Sequence, residues 1–298
     1  MCFMWILFAL ASALGLGFYD IMKKLSVRNN DVLTVLLLNT LFGALLMSPV
    51  IIGHLYNGEI GLGETPRGHA LIVVKAIIVL AAWLLGYSAI KHLPLTIQGP
   101  VNASRPVMVL VGAMLIFGER LNWIQWIGIT LGFVSLFLIS RIGAREGFSF
   151  QHSRWLLMAL GAAVFGAMSA LYDKYLLRQF EALDIQAWYS LYQCLIMGAV
   201  LTIIRYAARN SDTAVKFQWR WTILFISVFL TAADLAYFYA LSIEGSQIAV
   251  VSMIRRGSVI VPFLYGVFIL GEKNVRAKVV DLSILLVSLG LLVIGSAH

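Results

Sequence analysis

Ten times along its 298 residues the sequence runs for about 20 positions through little but apolar side chains: at 3–22, 32–53, 69–90, 94–117, 122–140, 154–176, 185–207, 220–241, 247–270 and 275–296. An α-helix rises 1.5 Å per residue, so each run reaches across the roughly 30 Å hydrocarbon core of a bilayer. Lipid offers no partner for backbone N–H and C=O groups, and continuous runs of this length satisfy them as helices. Composition agrees, with 61% hydrophobic and only 12% charged residues, against the ~25% charged of an ordinary soluble domain. The expectation is an all-α polytopic membrane protein of ten transmembrane helices, with the lipid bilayer as its surroundings. The net charge of +8 does not point to nucleic acid, because Lys and Arg sit singly or in short clusters between the runs. Cytoplasmic loops collect them in that way.

Several function classes fall away early. Met1 to Leu7 lacks the positive n-region of a signal peptide, so this stretch reads as part of a retained first helix. Cys2 and Cys194 make neither a disulfide framework nor a metal pattern. His54, His69, His92 and His152 fall near helix ends without metal spacing, and no nucleophile has a base beside it in sequence. No catalytic residue, metal or cofactor is therefore expected, and a membrane-embedded enzyme is the weakest functional reading. Trp123, Trp126, Trp155, Trp219 and Trp221 lie near proposed span ends, where an aromatic belt places them.

The runs are not independent. Tyr19-Asp20 matches Tyr172-Asp173, Asp31 matches Asp184, and Gly118-Glu119-Arg120 matches Gly271-Glu272-Lys273, all at an offset of 153. Three matches in one register mark two related copies, 1–145 and 146–298, with five spans each. Because five is odd, the second copy enters the membrane from the opposite side, which makes the repeat inverted. These residues resemble the drug/metabolite transporter superfamily in its EamA branch, where two five-helix repeats carry Gly-Glu and a basic residue after the fourth helix of each. The resemblance implies a secondary transporter. It also implies a basket of helices, in which the first four of each repeat surround a central cavity and the fifth and tenth are peripheral. Outside the spans, 14 Lys and Arg lie on the side of the first loop, whereas only Arg67, Arg120, Lys174 and Arg178 lie on the side of the termini. The positive-inside rule then places the termini outside a cell membrane, although many relatives are expected to keep theirs in the cytoplasm.

The ninth run holds the sharpest contradiction, an adjacent Arg255-Arg256 pair near its middle. A guanidinium keeps its proton at ordinary pH and costs roughly 2.5 to 3.5 kcal/mol at mid-membrane on insertion scales. The pair must face water, counter-charge or an anion, unless the helix breaks at Gly257 and leaves both arginines in a loop. Counting in from the helix ends on the termini side puts Arg255, Asp234 and Lys75 in one layer, roughly 9 to 12 Å deep at 1.5 Å per residue. On the fourth run Gln98, Asn102 and Arg105 follow an i, i+4, i+7 spacing and form one polar stripe, and Ser252 with Arg255 and Arg256 repeats the idea on the ninth. In the functional reading the arginines fork onto a carboxylate or phosphate. In the structural one Asp234 neutralises an arginine and Lys75 reaches back to the interface. The basic pair is also similar to one in the ninth helix of the phosphate-translocating branch.

Trp83, Tyr87 and Tyr237 are candidates to line the cavity, and Pro100, Pro106 and Pro262 to bend the fourth and ninth helices. Asp281 on the tenth helix, and Glu119 and Glu272 capping the turn into the following helix, read as structural. The chain is thus expected to move a small-molecule substrate, an organic anion or a carboxylate-bearing zwitterion, as a monomer. A lipid-phosphate flippase and a drug exporter are the alternatives.

Overall fold

The computed structural model describes residues 4–27, 30–58, 61–64, 66–92, 95–142, 154–207, 217–261, 264–265 and 275–297. The helices are α1 (Met4–Val27), α2 (Val32–Tyr56), α3 (Pro66–His92), α4 (Leu95–Phe117), α5 (Trp123–Ile142), α6 (Arg154–Leu176), α7 (Ala182–Ala207), α8 (Thr222–Ser242), α9 (Ile248–Arg256) and α10 (Val275–Ala297). Among the described residues there is no strand. Among the described residues six helices, α1, α2, α3, α6, α7 and α8, are long and apolar enough to cross a membrane. Shorter apolar stretches occupy α4, α5 and α10, at Arg105–Phe117, Trp123–Ser135 and Leu286–Gly295.

Local chemistry marks the boundaries. Asp31 caps α2 by accepting from the Leu33 N–H at 3.3 Å, and Pro66 opens α3, where a missing N–H costs nothing. Gly118, at φ +66°, ends the α4 segment in a conformation that favours glycine. The ninth run departs from its expected unbroken 247–270 span. Helix α9 is nine residues long and passes into a 3-10 turn, Gly257–Val259. A Cβ at Gly257 would come within 2.9 Å of Leu289 Cδ1, so the bare backbone lets this turn lie against α10.

Helix pairing follows an exchange rule. Helix α1 packs on α8 as α6 packs on α3, and α2 packs on α8 as α7 packs on α3. The pairs α2 with α7, α4 with α9 and α5 with α10 map onto themselves when the two sets of five are exchanged. Small residues permit these approaches: Gly15 lies where a Cβ would sit 3.0 Å from that of Ala233. Ser12 donates to the Ala233 carbonyl at 2.7 Å, and Ser288 to that of Gly128 at 2.7 Å. Lipid exerts no hydrophobic drive between helices, so close packing and such hydrogen bonds hold them together. Helices α5 and α10 pack on each other and meet the remainder chiefly through α4 and α9.

Side-chain bonds define two ends of the bundle. At the near end, where α1, α3, α5, α7 and α9 begin, His54 meets Asp184 at 2.8 Å and Asn122 Nδ2 donates to the Gly295 carbonyl at 2.5 Å. At the far end Ser26 meets Thr222 at 2.6 Å, Asn30 donates to the Gln218 carbonyl at 2.7 Å, and Arg205 reaches Asp31 at 3.3 Å. The Asp31 and Asp184 contacts are related by the offset of 153 and join α2 to α7 at opposite ends.

Candidate functional site

A cavity of about 430 Å³ lies among α1, α3, α4, α6, α8 and α9, with Tyr189 of α7 on one wall. Among the described residues, five cations line it, Lys23, Lys75, Arg105, Arg255 and Arg256, together with three carboxylates, Asp20, Asp173 and Asp234. Counted from the near end of each helix, the lining runs from Asp173, Phe238 and Ser252 to Lys23, Gly86 and Ser258. The space therefore extends from a layer beneath the near end toward the far end.

Lys75 is 2% exposed, with its Nζ 2.5 Å from Asp173 Oδ1. The ammonium also lies 4.0 Å from the Phe238 ring centroid and 4.5 Å from that of Tyr189. The expectation that Lys75 reaches back to the interface is thus overturned. Asp173 supplies a counter-charge inside the bundle, so the side chain has no need of headgroup water. Arg255 donates from Nη2 to Asp234 Oδ1 at 2.7 Å and lays its guanidinium over Tyr237, 4.0 Å from the centroid. Arg255 and Arg256 occupy the last turn of α9, where the negative end of the helix dipole favours cations.

The other two arginines are less well matched. Asp20 attracts Arg256 while Arg105 and Arg255 repel it, and its Nε is buried without a hydrogen-bond partner. Arg105 donates from Nη2 to the Gly166 carbonyl at 2.8 Å. That contact needs glycine, because a Cβ at Gly166 would occupy the place of the guanidinium. Pro106 lines the same wall.

The expected site residues can now be placed. Lys75, Trp83, Arg105, Asp234, Tyr237, Ser252, Arg255 and Arg256 all line this one cavity. Tyr87, Gln98 and Asn102, like Pro100, Pro262, Glu272 and Asp281, lie outside the residues whose side chains are described. The loop alternative for the arginine pair does not hold, since both residues are α-helical and the geometry only tightens at Gly257. Sequence reasoning missed Asp20, Asp173, Lys23 and Tyr189. The Tyr-Asp pairs were the available signal: they recur in both halves, and each places its aspartate on the cavity wall.

Glu119 also departs from expectation. It caps α9 of the other half, accepting from the Ile248 and Ala249 N–H groups at 2.8 and 3.3 Å. The same carboxylate takes Lys174 Nζ at 2.7 Å, and Lys174 also donates to the Ser246 carbonyl. The N-terminal N–H groups of α9 are unpaired within their own helix and present positive charge, so the buried Glu119 carboxylate, just past the end of α4, finds its donors there rather than in the turn to α5.

Comparison with known proteins gives the same architecture. The EamA-like transporter family matches the sequence twice, over residues 3–141 and 153–296. A solved crystal structure superposes with a TM-score of 0.72 at 15% identity, covering 96% of this chain and 94% of that one. That likeness speaks for the fold alone. No curated protein matches the sequence.

Proposed function

The chain belongs to the EamA-like transporter family, and from that premise we propose that it is a secondary transporter for a small organic anion, or for a zwitterion held by its carboxylate. It works by alternating access, with two inverted repeats of five spans each, 1–145 and 146–298, rocking about the central cavity. The observation that carries this reading is the surplus, among the described residues, of five cations over three carboxylates around one space. Lys75 with Asp173 and Arg255 with Asp234 neutralise each other. Of the remaining arginines, Arg256 is attracted by Asp20 and Arg105 meets only the Gly166 carbonyl among the bonds described. A carboxylate entering the cavity completes the balance, and guanidiniums bind it through paired N–H donors. The volume of about 430 Å³ suits a metabolite.

A cationic drug would want the opposite surplus, which disfavours the drug exporter. The lipid-phosphate flippase keeps the same charge logic and remains the second reading, through the arginine pair on α9. Membership of a transporter family disfavours an enzymatic role. The count of 14 basic residues against 4 supports an integral cell-membrane protein with the far end cytoplasmic.

Uptake into proteoliposomes, screened with amino acids, dicarboxylates and sugar phosphates, tests the reading. Wild type is expected to take up a member of one of these classes, and Arg255→Ala and Arg256→Ala to lose at least about tenfold, the equivalent of 1.4 kcal/mol. Arg256→Lys, which keeps the charge, controls for folding. Folded alanine variants that transport as well as wild type would remove the arginines from binding.

A further inference from the structure

Behind Asp234 lies a second, smaller chamber of about 20 Å³, enclosed by α2, α7 and α8. Tyr189, Leu230 and Asp234 line both spaces and form the partition between them. The remaining polar lining is Asn39, Thr40, Gln186, Ser190, Gln193 and Thr231, all buried, with no Lys, Arg or His. So dense a polar cluster in a chain of mostly apolar helices requires a reason, since intramembrane polar residues mark ligand and ion paths.

The chamber is biased toward acceptors. Thr40 spends its hydroxyl proton on the Leu37 carbonyl at 2.8 Å, and Ser190 spends its own on the Gln186 carbonyl at 2.8 Å. Both oxygens therefore keep only lone pairs for anything inside. Asn39 Oδ1 already acts as an acceptor, toward Ser227 at 3.1 Å. Gln186 is 2% exposed and its Oε1 is buried without a partner. Gln193 Nε2 is buried without a hydrogen-bond partner and is the one unpaired donor among these groups. Asp234 commits Oδ1 to Arg255 on the cavity side.

We propose that this chamber binds one unhydrated sodium ion, held by Asp234 and the oxygens of Gln186, Ser190, Thr40 and Asn39. A hard cation takes oxygen ligands, and a space the size of about one water molecule leaves no room for the hydration that Mg²⁺ retains. One carboxylate matches one positive charge. Because Asp234 closes both spaces, sodium competes with Arg255 for it. Drawing the carboxylate toward the chamber frees the Arg255 guanidinium for an anion, so the two sites are thermodynamically linked. This coupling rests on the carrier reading, whereas the ion site itself does not.

The test therefore needs no transported substrate. The purified full-length protein is melted at constant ionic strength in NaCl, KCl or choline chloride. A ligand of the folded state raises the melting temperature in a saturable way. Wild type is expected to gain a few degrees in sodium alone, and Gln186→Leu and Ser190→Ala to lose that sodium-specific gain. If Gln186→Leu fails to fold, Ser190→Ala carries the comparison. Identical melting in all three salts means the chamber holds water only and overturns the proposal. A sodium gain that survives in a folded variant also overturns it. A sodium gain with no anion uptake in proteoliposomes would leave the ion site standing and remove the anion carrier.

Discussion

A buried charge is tolerated only with its partner, and the Lys75 and Asp173 pair puts a magnitude on that rule. With side chains 2% and 8% exposed, removal of one member strands the other, at a cost of roughly 3–5 kcal/mol. Lys75→Ala is accordingly expected to lower stability by that amount in detergent unfolding. Lys75→Ala combined with Asp173→Asn is expected to recover part of the loss, because no uncompensated charge remains. A single variant as stable as wild type would mean that water reaches Asp173. This scale also shows what could be read in the sequence. Arg105, Asp234, Arg255 and Arg256 stood out because a charge inside an apolar run has no innocent explanation. Asp20 and Asp173 carried the same message, yet their recurrence at an offset of 153 had already been explained by the repeat. Which cation each aspartate meets depends on contacts between halves, such as α3 with α6, and no spacing along the chain encodes those.

Helices in this bundle end where another half of the molecule lets them. Glu119 holds the start of α9 and Lys174 together beneath the near end, where α4, α6 and the turn between α8 and α9 converge. Sequence alone identified the Gly-Glu signature, but it assigned the cap to the following helix because caps are ordinarily local. The helix it serves lies 129 residues away. The position of α9 in the two repeats corresponds to that of α4, so this cap is also a tie between the halves on one face. Glu119→Ala is expected to cost roughly 3–5 kcal/mol, because it uncaps α9 and also strands Lys174, whose side chain is 10% exposed, and to loosen the near end. In a cysteine-free background, Ser246→Cys, at a site buried in the present conformation, should label several-fold faster when Glu119→Ala is added. Unchanged labelling would make Glu119 a cap without any part in closure. The end of α9 was partly legible too. Gly257 advertised a weak point, but whether the backbone would break or tighten there depended on Leu289 of α10, which lies 32 residues on.

Across the whole molecule, the pairing pattern survives exchange of the two sets of five helices, and the contents of the cavity do not. Lys75 on α3, Arg105 on α4 and Asp234 on α8 have no counterparts of like charge at the offset of 153, where Val228, Ser258 and Ala81 stand. A symmetric scaffold thus carries an asymmetric charge set, as a transporter requires if it is to move between two related conformations while recognising one cargo. The scaffold was legible from the apolar runs, whose length follows from that of a membrane crossing, and from the repeat, which the matches at an offset of 153 reveal. The charge set was legible in part, since Lys75, Arg105, Asp234, Arg255 and Arg256 stood out as charges inside apolar runs, whereas Lys23, Asp20 and Asp173 did not.

The central claim is that surplus positive charge selects the cargo, and a matched pair of competitors tests it most directly. Once a transported carboxylate has been found, its uptake is inhibited with the unlabelled acid and with the corresponding carboxamide, which preserves shape and removes the charge. The account predicts that the amide competes at least about tenfold more weakly, corresponding to 1.4 kcal/mol, and that Arg256→Gln narrows the gap. An amide that competes as well as the acid in the wild-type protein would contradict it.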